Sequence, residues 1–267
     1  VLQILLAIMI CAAAFLLLKL TIVPMILSFI EMTEIQAHAI KGVVSLLAFS
    51  LGYWIYVKFY EKRQAVELAG NRRYMLYGIV AGAAIISVTI LPLFALGYYQ
   101  VVTYQTFNEV LFAFIGLSTQ AIFGAILFTG IFFRIIELHL GTKYSLIFLS
   151  ILLGLLNVLV DGPDVVVLIS SMLINALWFS LYVLSRNLWV VGLANGAWLC
   201  AVFSTGILDE HWRASAPIIS SYNGPVLING GGFGPEHSII TVISVSISLF
   251  LILRIARKKK MFIQVNT

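Results

Sequence analysis

The sequence predicts an all-α fold, an integral membrane bundle of about eight transmembrane helices. Hydrophobic residues make up 61% of the 267 residues, charged residues make up only 10%, and the mean hydropathy is +1.06. A soluble domain of this length could not hide so much apolar surface. The apolar residues also fall into runs long enough to cross a bilayer, with short polar segments between them. We therefore expect residues 1–267 to form a single integral membrane domain.

Three apolar runs precede residue 100, and each predicts one span. The first covers residues 2–30; it is too long for a signal peptide, and we expect its one lysine, Lys19, to snorkel toward the interface. The second, residues 43–60, ends in aromatic residues and Lys58, which suits a membrane interface. The third covers residues 74–98.

The fourth span is the longest, from near Glu109 to Leu140. It exceeds the roughly 20 residues that a bilayer requires, so its end should project into water. A polar turn, Gly141-Thr142-Lys143, separates it from the fifth span at residues 144–160. Arg134 lies near the end of the fourth span, where an arginine needs a partner or a route to the interface.

The sequence DGPD at residues 161–164 predicts a turn that ends the fifth span. Three further apolar runs predict the last spans, at residues 165–184, 187–206 and 237–253. The long loop at residues 207–236 contains NGGGFGPE, which lacks the ending of a phosphate-binding loop. We expect a turn there, with Pro235 and Glu236 starting the last helix.

The basic residues predict the orientation of the bundle. They cluster in the loop at 61–73, at Lys143, at Arg186 and in the tail from Arg254 to Lys260. Because cytoplasmic loops carry an excess of Lys and Arg, these positions alternate correctly if both termini are cytoplasmic. The basic residues flank apolar runs and form no single patch, which argues against nucleic-acid binding.

The sequence contains no HExxH, CxxC or GxSxG motif. None of the four histidines, His38, His139, His211 and His237, pairs with another at i,i+4, so no local two-histidine metal site is predicted. Both cysteines lie in apolar runs, which argues against a disulfide framework.

Several segments nevertheless resemble, in order and spacing, the CPBP family of intramembrane metalloproteases, also called the CAAX-protease or Abi family. The loop EKRQAVELAG resembles the ERRxxxEL loop of that family, and GGGFGPEHS resembles its GGxFGPExS segment before the last helix. The helices FTGIFFRIIELHLG and SRNLWVVGLANGAWL resemble those that carry EExxxR and HxxxN in the family. The resemblance covers roughly residues 50–260, with a core of about 74–256, and implies a bacterial cytoplasmic (inner) membrane.

The residues that carry catalysis in the family are mostly replaced. Aligned on Arg134, the two family glutamates fall on Thr129 and Gly130, and the histidine of the second helix falls on Asn157. The later histidine falls on Asn195, and the asparagine four residues further falls on Leu199. The positions equivalent to the family's site are therefore Thr129, Gly130, Arg134, Asn157, Asn195 and Leu199, of which only Arg134 matches.

These replacements remove the chemistry that the resemblance implies. Active relatives use zinc, a glutamate as general base and histidines as ligands. A threonine hydroxyl cannot act as a base near neutral pH, and a glycine offers no group at all. An asparagine amide binds zinc far more weakly than an imidazole does. We therefore expect no zinc and no other cofactor at these positions.

The resulting hypothesis is a membrane pseudoprotease that serves as a binding, scaffold or regulatory subunit. A cavity lined by Arg134, Asn157, Asn195 and Trp198, or the lipid-facing surface, would bind a membrane protein or peptide. Arg134 has two interpretations: an interface residue that pairs with Glu137, or an anchor for a ligand carboxylate.

Two other functions stay open. An active protease with an atypical centre would need Glu137, His139 or Glu236 to converge on the asparagines. A small-molecule transporter would show paired inverted repeats, and the sequence has no such symmetry.

Overall fold

The computed structural model describes residues 2–29, 31–70, 72–105, 109–162, 164–206 and 216–264, and it is mostly helical. The helices in chain order are α1 (Leu2–Phe29), α2 (Glu34–Ile55), α3 (Arg72–Ala95), α4 (Val110–Gly124), α5 (Arg134–Asp161), α6 (Val165–Ser185), α7 (Leu188–Ser204) and α8 (Ile239–Lys258). Two π-helical segments, Tyr56–Tyr60 and Ala125–Phe133, prolong α2 and join α4 to α5.

Six helical runs in the described residues are long and apolar enough to cross a membrane. One of them extends from Val110 to Leu159, and α7 is an apolar helix too short to count among the six. The predicted membrane bundle of helices is confirmed at this level. The count of eight spans stays a prediction.

The predicted turn after the fourth span is present as a bend within the run from Val110 to Leu159. Gly141 has a φ of 77° and a ψ of 164°, outside the helical region. A residue with a side chain rarely adopts such a φ, so glycine is the residue that permits the bend. The helix that begins at Val110 therefore changes direction at the point where the sequence predicted its end.

Local sequence signals explain where several helices begin. Thr33 and Gln36 form a capping box at the start of α2. Asp164 accepts hydrogen bonds from two amides at the start of α6, and Asn187 does the same for α7. Ser238 caps α8 by accepting from the amide of Thr241. The last helix therefore begins at Ile239, and Pro235–His237 form a separate 3₁₀ turn before it.

Helix α7 lies in the interior of the bundle and packs against α3 and α4. Small residues let the backbones approach: a Cβ added at Gly82 would lie 1.9 Å from the carbonyl oxygen of Ala194. Helix α2 packs against α1 and α4, while α6 packs against α5 and α8. Most of the outer helices expose apolar side chains, as lipid-facing surfaces do.

A two-stranded antiparallel sheet joins two segments that the sequence predicted as loops. Strand β1 (Tyr99–Tyr104) pairs with β2 (Ile218–Tyr222), with Tyr99 opposite Tyr222 and Tyr104 opposite Ile218. The pairing departs from the purely helical fold class. Neither segment has a strong alternation of apolar and polar residues, so the residue pattern does not predict this pairing.

Candidate functional site

Arg134 is buried and bonded to acidic residues outside its own helix. Its Nη2 lies 2.5 Å from Oε1 of Glu61, and its Nε donates to the carbonyl oxygen of Gly130 at 3.0 Å. The same Nε lies 3.9 Å from Oε1 of Glu67. Arg134 therefore pairs with Glu61 and not with Glu137, so the predicted Arg134–Glu137 pair is wrong.

Four further residues complete what we call the Arg134 cluster: Tyr53, Glu61, Arg63 and Glu67. The guanidinium of Arg63 donates to both oxygens of Glu67 at 2.9 and 2.6 Å, and its Nε donates to Glu61 at 2.6 Å. The hydroxyl of Tyr53 donates to Glu67 at 2.5 Å. Two arginines thus balance two glutamates, which suits a site largely removed from water.

The electrostatics of Glu67 follow from these bonds. Burial alone would raise the pKa of its carboxyl, but hydrogen bonds from Arg63 and Tyr53 outweigh burial and hold the pKa below its usual range. Burial would lower the pKa of Arg63, but its bonds with Glu67 and Glu61 raise it. Both residues are therefore charged at neutral pH. Within the cluster, each arginine is paired with a glutamate.

The loop that supplies the two glutamates is fixed against the start of α7. The side chain of Asn187 donates to the carbonyl oxygen of Ala69 at 2.8 Å, and the indole of Trp189 donates to that of Leu68 at 2.9 Å. A 3₁₀ turn at Val66–Leu68 directs Glu67 inward, where it is 4% exposed. The EKRQAVELAG segment is thus a structural element that clamps α2, α5 and α7.

Thr129 and Gly130, the two positions that the resemblance aligns with glutamates, are enclosed. Thr129 is 2% exposed, and Gly130 is buried in the π-helical segment. A Cβ added at Gly130 would lie 2.9 Å from Cδ1 of Leu188 and 3.4 Å from the ring of Tyr53. A side chain at Gly130 would therefore meet the end of the Leu188 side chain first and lie in contact with the Tyr53 ring.

The two asparagines lie in different surroundings. Asn157 is exposed near the end of α5, a helix that packs against α6. Asn195 and Leu199 are half-buried on α7, which packs against α3 and α4. The structure therefore does not bring Asn157 into the interior beside Asn195.

Trp198 is buried and contacts the glycine-rich segment. Its indole nitrogen donates to Oε1 of Glu236, and its ring stands edge-on to Trp178 with centroids 5.8 Å apart. The neighbouring His237 shares a hydrogen bond of 2.7 Å with the hydroxyl of Ser170. Glu236 therefore does not start the last helix, although the sequence predicted that it would. It lies in the 3₁₀ turn before α8, and its carboxylate is bonded to Trp198.

Glu137 has a cluster of its own near the bend at Gly141. Its carboxylate accepts hydrogen bonds from Arg186, at the end of α6, and from the hydroxyl of Thr142. His139 lies 3.4 Å from the side chain of Gln3. Glu137 and His139 are therefore bonded to partners other than the two asparagines.

Sequence reasoning missed Tyr53 and Arg186 as members of these clusters. Tyr53 looked like an interfacial aromatic residue, and Arg186 looked like a topology signal. The available clue was the pair of acids in EKRQAVELAG, because buried acids at a membrane end need cationic partners.

Within the described residues, no group of three or more His, Cys, Asp or Glu side chains is placed to hold a metal ion. Of the four histidines, His211 falls outside the described residues. Comparison with protein-family models, with curated proteins and with solved structures found no match to this chain.

Proposed function

We propose that this chain is a catalytically inactive membrane protein resembling the CPBP proteases, which binds a membrane protein or peptide without cleaving it. The observation that carries the proposal is that the two positions aligned with glutamates, Thr129 and Gly130, are enclosed and carry no carboxylate. A general base must reach a water molecule and the scissile carbonyl. Neither a threonine hydroxyl nor a glycine can serve as that base near neutral pH.

The state of Arg134 also supports the proposal. In this chain its charge is shared with Glu61 and lies close to Glu67. An arginine bound in this way is not available to a substrate carboxylate without breaking a buried ion pair, which is costly. Arg134 therefore acts as a structural tie between the loop after α2 and the start of α5.

The proposed topology keeps the eight spans that the sequence predicts. The bend at Gly141 divides the run from Val110 to Leu159 into the fourth and fifth spans, and α7 is the seventh. Both termini would then be cytoplasmic by the distribution of Lys and Arg. The Arg134 cluster would lie at the cytoplasmic end of the bundle, in a bacterial inner membrane.

The test uses the purified full chain in detergent with a prenylated CAAX peptide, the substrate class that the resemblance implies. We expect peptide binding, no cleavage above that of a protein-free control, and no stoichiometric zinc by elemental analysis. The proposal fails if the chain holds one zinc per molecule and cleaves the peptide, and if cleavage is lost in Asn157→Ala or Asn195→Ala.

One observation favours a second candidate, an active protease with an atypical centre. The structure brings the carboxylate of Glu236 to the indole of Trp198, one helical turn beyond Asn195. Of the three residues considered, Glu236 is the one whose side chain is bonded to α7, the helix that carries Asn195. Cleavage that is abolished in Glu236→Gln but retained in Glu137→Gln would support this candidate over the first.

A further inference from the structure

A cavity of about 800 Å³ lies between the bend at Gly141 and the segment that follows α8. Lys143 and Tyr144 line it from the start of the second half of α5. Arg257, Lys260 and Phe262 line it from the end of α8 and beyond. Three cationic side chains from two distant parts of the chain therefore converge on one space, and the described residues that line it include no Asp or Glu.

The chain after α8 folds back to make this cavity. Lys260 has a φ of 55°, and the amide of Met261 returns to the carbonyl oxygen of Ala256. The backbone amide of Thr142 then donates to the carbonyl oxygen of Ile263 at 3.0 Å, and the amide of Ile263 donates to the hydroxyl oxygen of Thr142 at 2.8 Å. The wall of the cavity is therefore held in place by specific bonds.

The cations that line this cavity differ from three arginines that are paired with acids. Arg63, Arg134 and Arg186 each have a glutamate partner. In the described part of the chain, Lys143, Arg257 and Lys260 have none; Arg257 lies over the ring of Phe262 and Lys143 over that of Tyr144. The nearest acid along the chain, Glu137, is already bonded to Arg186.

We propose that this cavity binds the phosphate-bearing headgroup of an anionic phospholipid. Lys and Arg side chains are the usual partners of phosphate, and basic pockets between transmembrane helices bind anionic headgroups. Tyr144 and Phe262 place aromatic rings beside the cations, as residues at a membrane interface do. A free phosphate ion would satisfy the cations equally well, but it would make no use of the apolar helix surfaces on either side.

The experiment measures the binding of fluorescently labelled phosphatidylglycerol to the detergent-solubilised full chain. Labelled phosphatidylcholine is the zwitterionic probe, and inorganic phosphate is the competitor. The test variant is Lys143→Gln with Lys260→Gln. The matched control is Lys258→Gln with Lys259→Gln, which removes the same charge from exposed positions of the same basic segment outside the cavity lining.

We expect the wild type to prefer phosphatidylglycerol over phosphatidylcholine. Each cation that contacts an anionic lipid contributes about fivefold to the affinity, so the cavity variant should lose about 25-fold. The control should change by less than about twofold, because its charges lie outside the proposed site. Equal losses in the two variants would overturn the site in favour of diffuse surface attraction. Displacement of the lipid by millimolar phosphate would overturn the lipid as its ligand.

Discussion

The guanidinium group of Arg134 lies 2.5 Å from the carboxylate of Glu61, a residue 73 positions earlier in the chain. Both side chains are largely removed from solvent, with 10% and 14% of their surfaces exposed. The bond joins the start of α5 to the loop after α2, and through Asn187 and Trp189 that loop is attached to α7. The ion pair and the hydrogen bonds of Asn187 and Trp189 together connect three parts of the bundle that are distant in sequence.

Replacing Arg134 by glutamine should destabilise the fold strongly. The substitution leaves Glu61 and Glu67 with one cation between them, and removing one partner of a buried ion pair costs about 3–5 kcal/mol. We expect a lower midpoint of thermal unfolding for the purified chain in detergent, followed by circular dichroism.

The matched double variant Arg134→Gln with Glu61→Gln separates this effect from simple loss of packing. It removes both charges, so it should recover part of the stability that the single variant loses. Stabilities that add without any coupling would mean that Arg134 and Glu61 do not interact.

The close approach of α3 and α7 makes a second prediction. A methyl group at Gly82 would lie 1.9 Å from the backbone oxygen of Ala194, and a backbone atom cannot rotate away as a side chain does. Gly82→Ala should therefore destabilise the chain by about 1–3 kcal/mol, the usual cost of overpacking, or by more. At Gly124 no atom lies within 4 Å of an added Cβ, so Gly124→Ala is the control and should be neutral or stabilising. Equal effects at both positions would contradict the packing of α3 on α7.

The lowered pKa of Glu67 predicts a dependence of stability on pH. Because the folded pKa lies below the ordinary value near 4.5, the charged carboxylate stabilises the fold. That contribution is fully present above the ordinary pKa, and it is lost as the pH falls from about 4.5 through the lower folded pKa. Unfolding measured across this range should show a smaller loss of stability in Glu67→Gln than in the wild type. Glu31→Gln, on an exposed segment, should retain the acid sensitivity of the wild type.

Sequence patterns were informative about the apolar elements and less so about their contacts. Apolar runs of about 20 residues anticipated the helices, because a helix of that length crosses the bilayer and satisfies its backbone hydrogen bonds within the segment. The Gly141 turn was likewise visible, since a glycine followed by Thr and Lys interrupts an apolar run. The partner of Arg134 was not visible in the sequence. Glu137 lies three residues away on the same helix, whereas Glu61 is 73 residues away and only the fold brings it to Arg134.

At the candidate site, too, residue spacing says little about which side chains lie in contact. The structure places Thr129, Gly130 and Asn195 at buried or half-buried positions on helical segments. The sequence could not indicate that Asn157 is exposed or that Leu188 and Tyr53 lie beside Gly130. Those facts depend on helix rotation and on side chains distant in sequence, which residue spacing does not record.

Placing a glutamate at Gly130, where the resemblance aligns one, should not create a protease. In Gly130→Glu the new side chain must shift Cδ1 of Leu188, a residue that is 1% exposed, and its Cβ would lie 3.4 Å from the Tyr53 ring. We expect a lower midpoint of thermal unfolding, no bound zinc and no peptide cleavage. Leu188→Ala alone should cost about 2–5 kcal/mol as a buried large-to-small change. In the double variant Gly130→Glu with Leu188→Ala, the space left by the shortened side chain accepts part of the glutamate. The free energy of unfolding should therefore fall by less than the sum of the losses in the two single variants. Unchanged stability in Gly130→Glu, together with one zinc per chain and cleavage of the peptide, would show that the space beside Gly130 admits the acid and that catalysis lacked only this group.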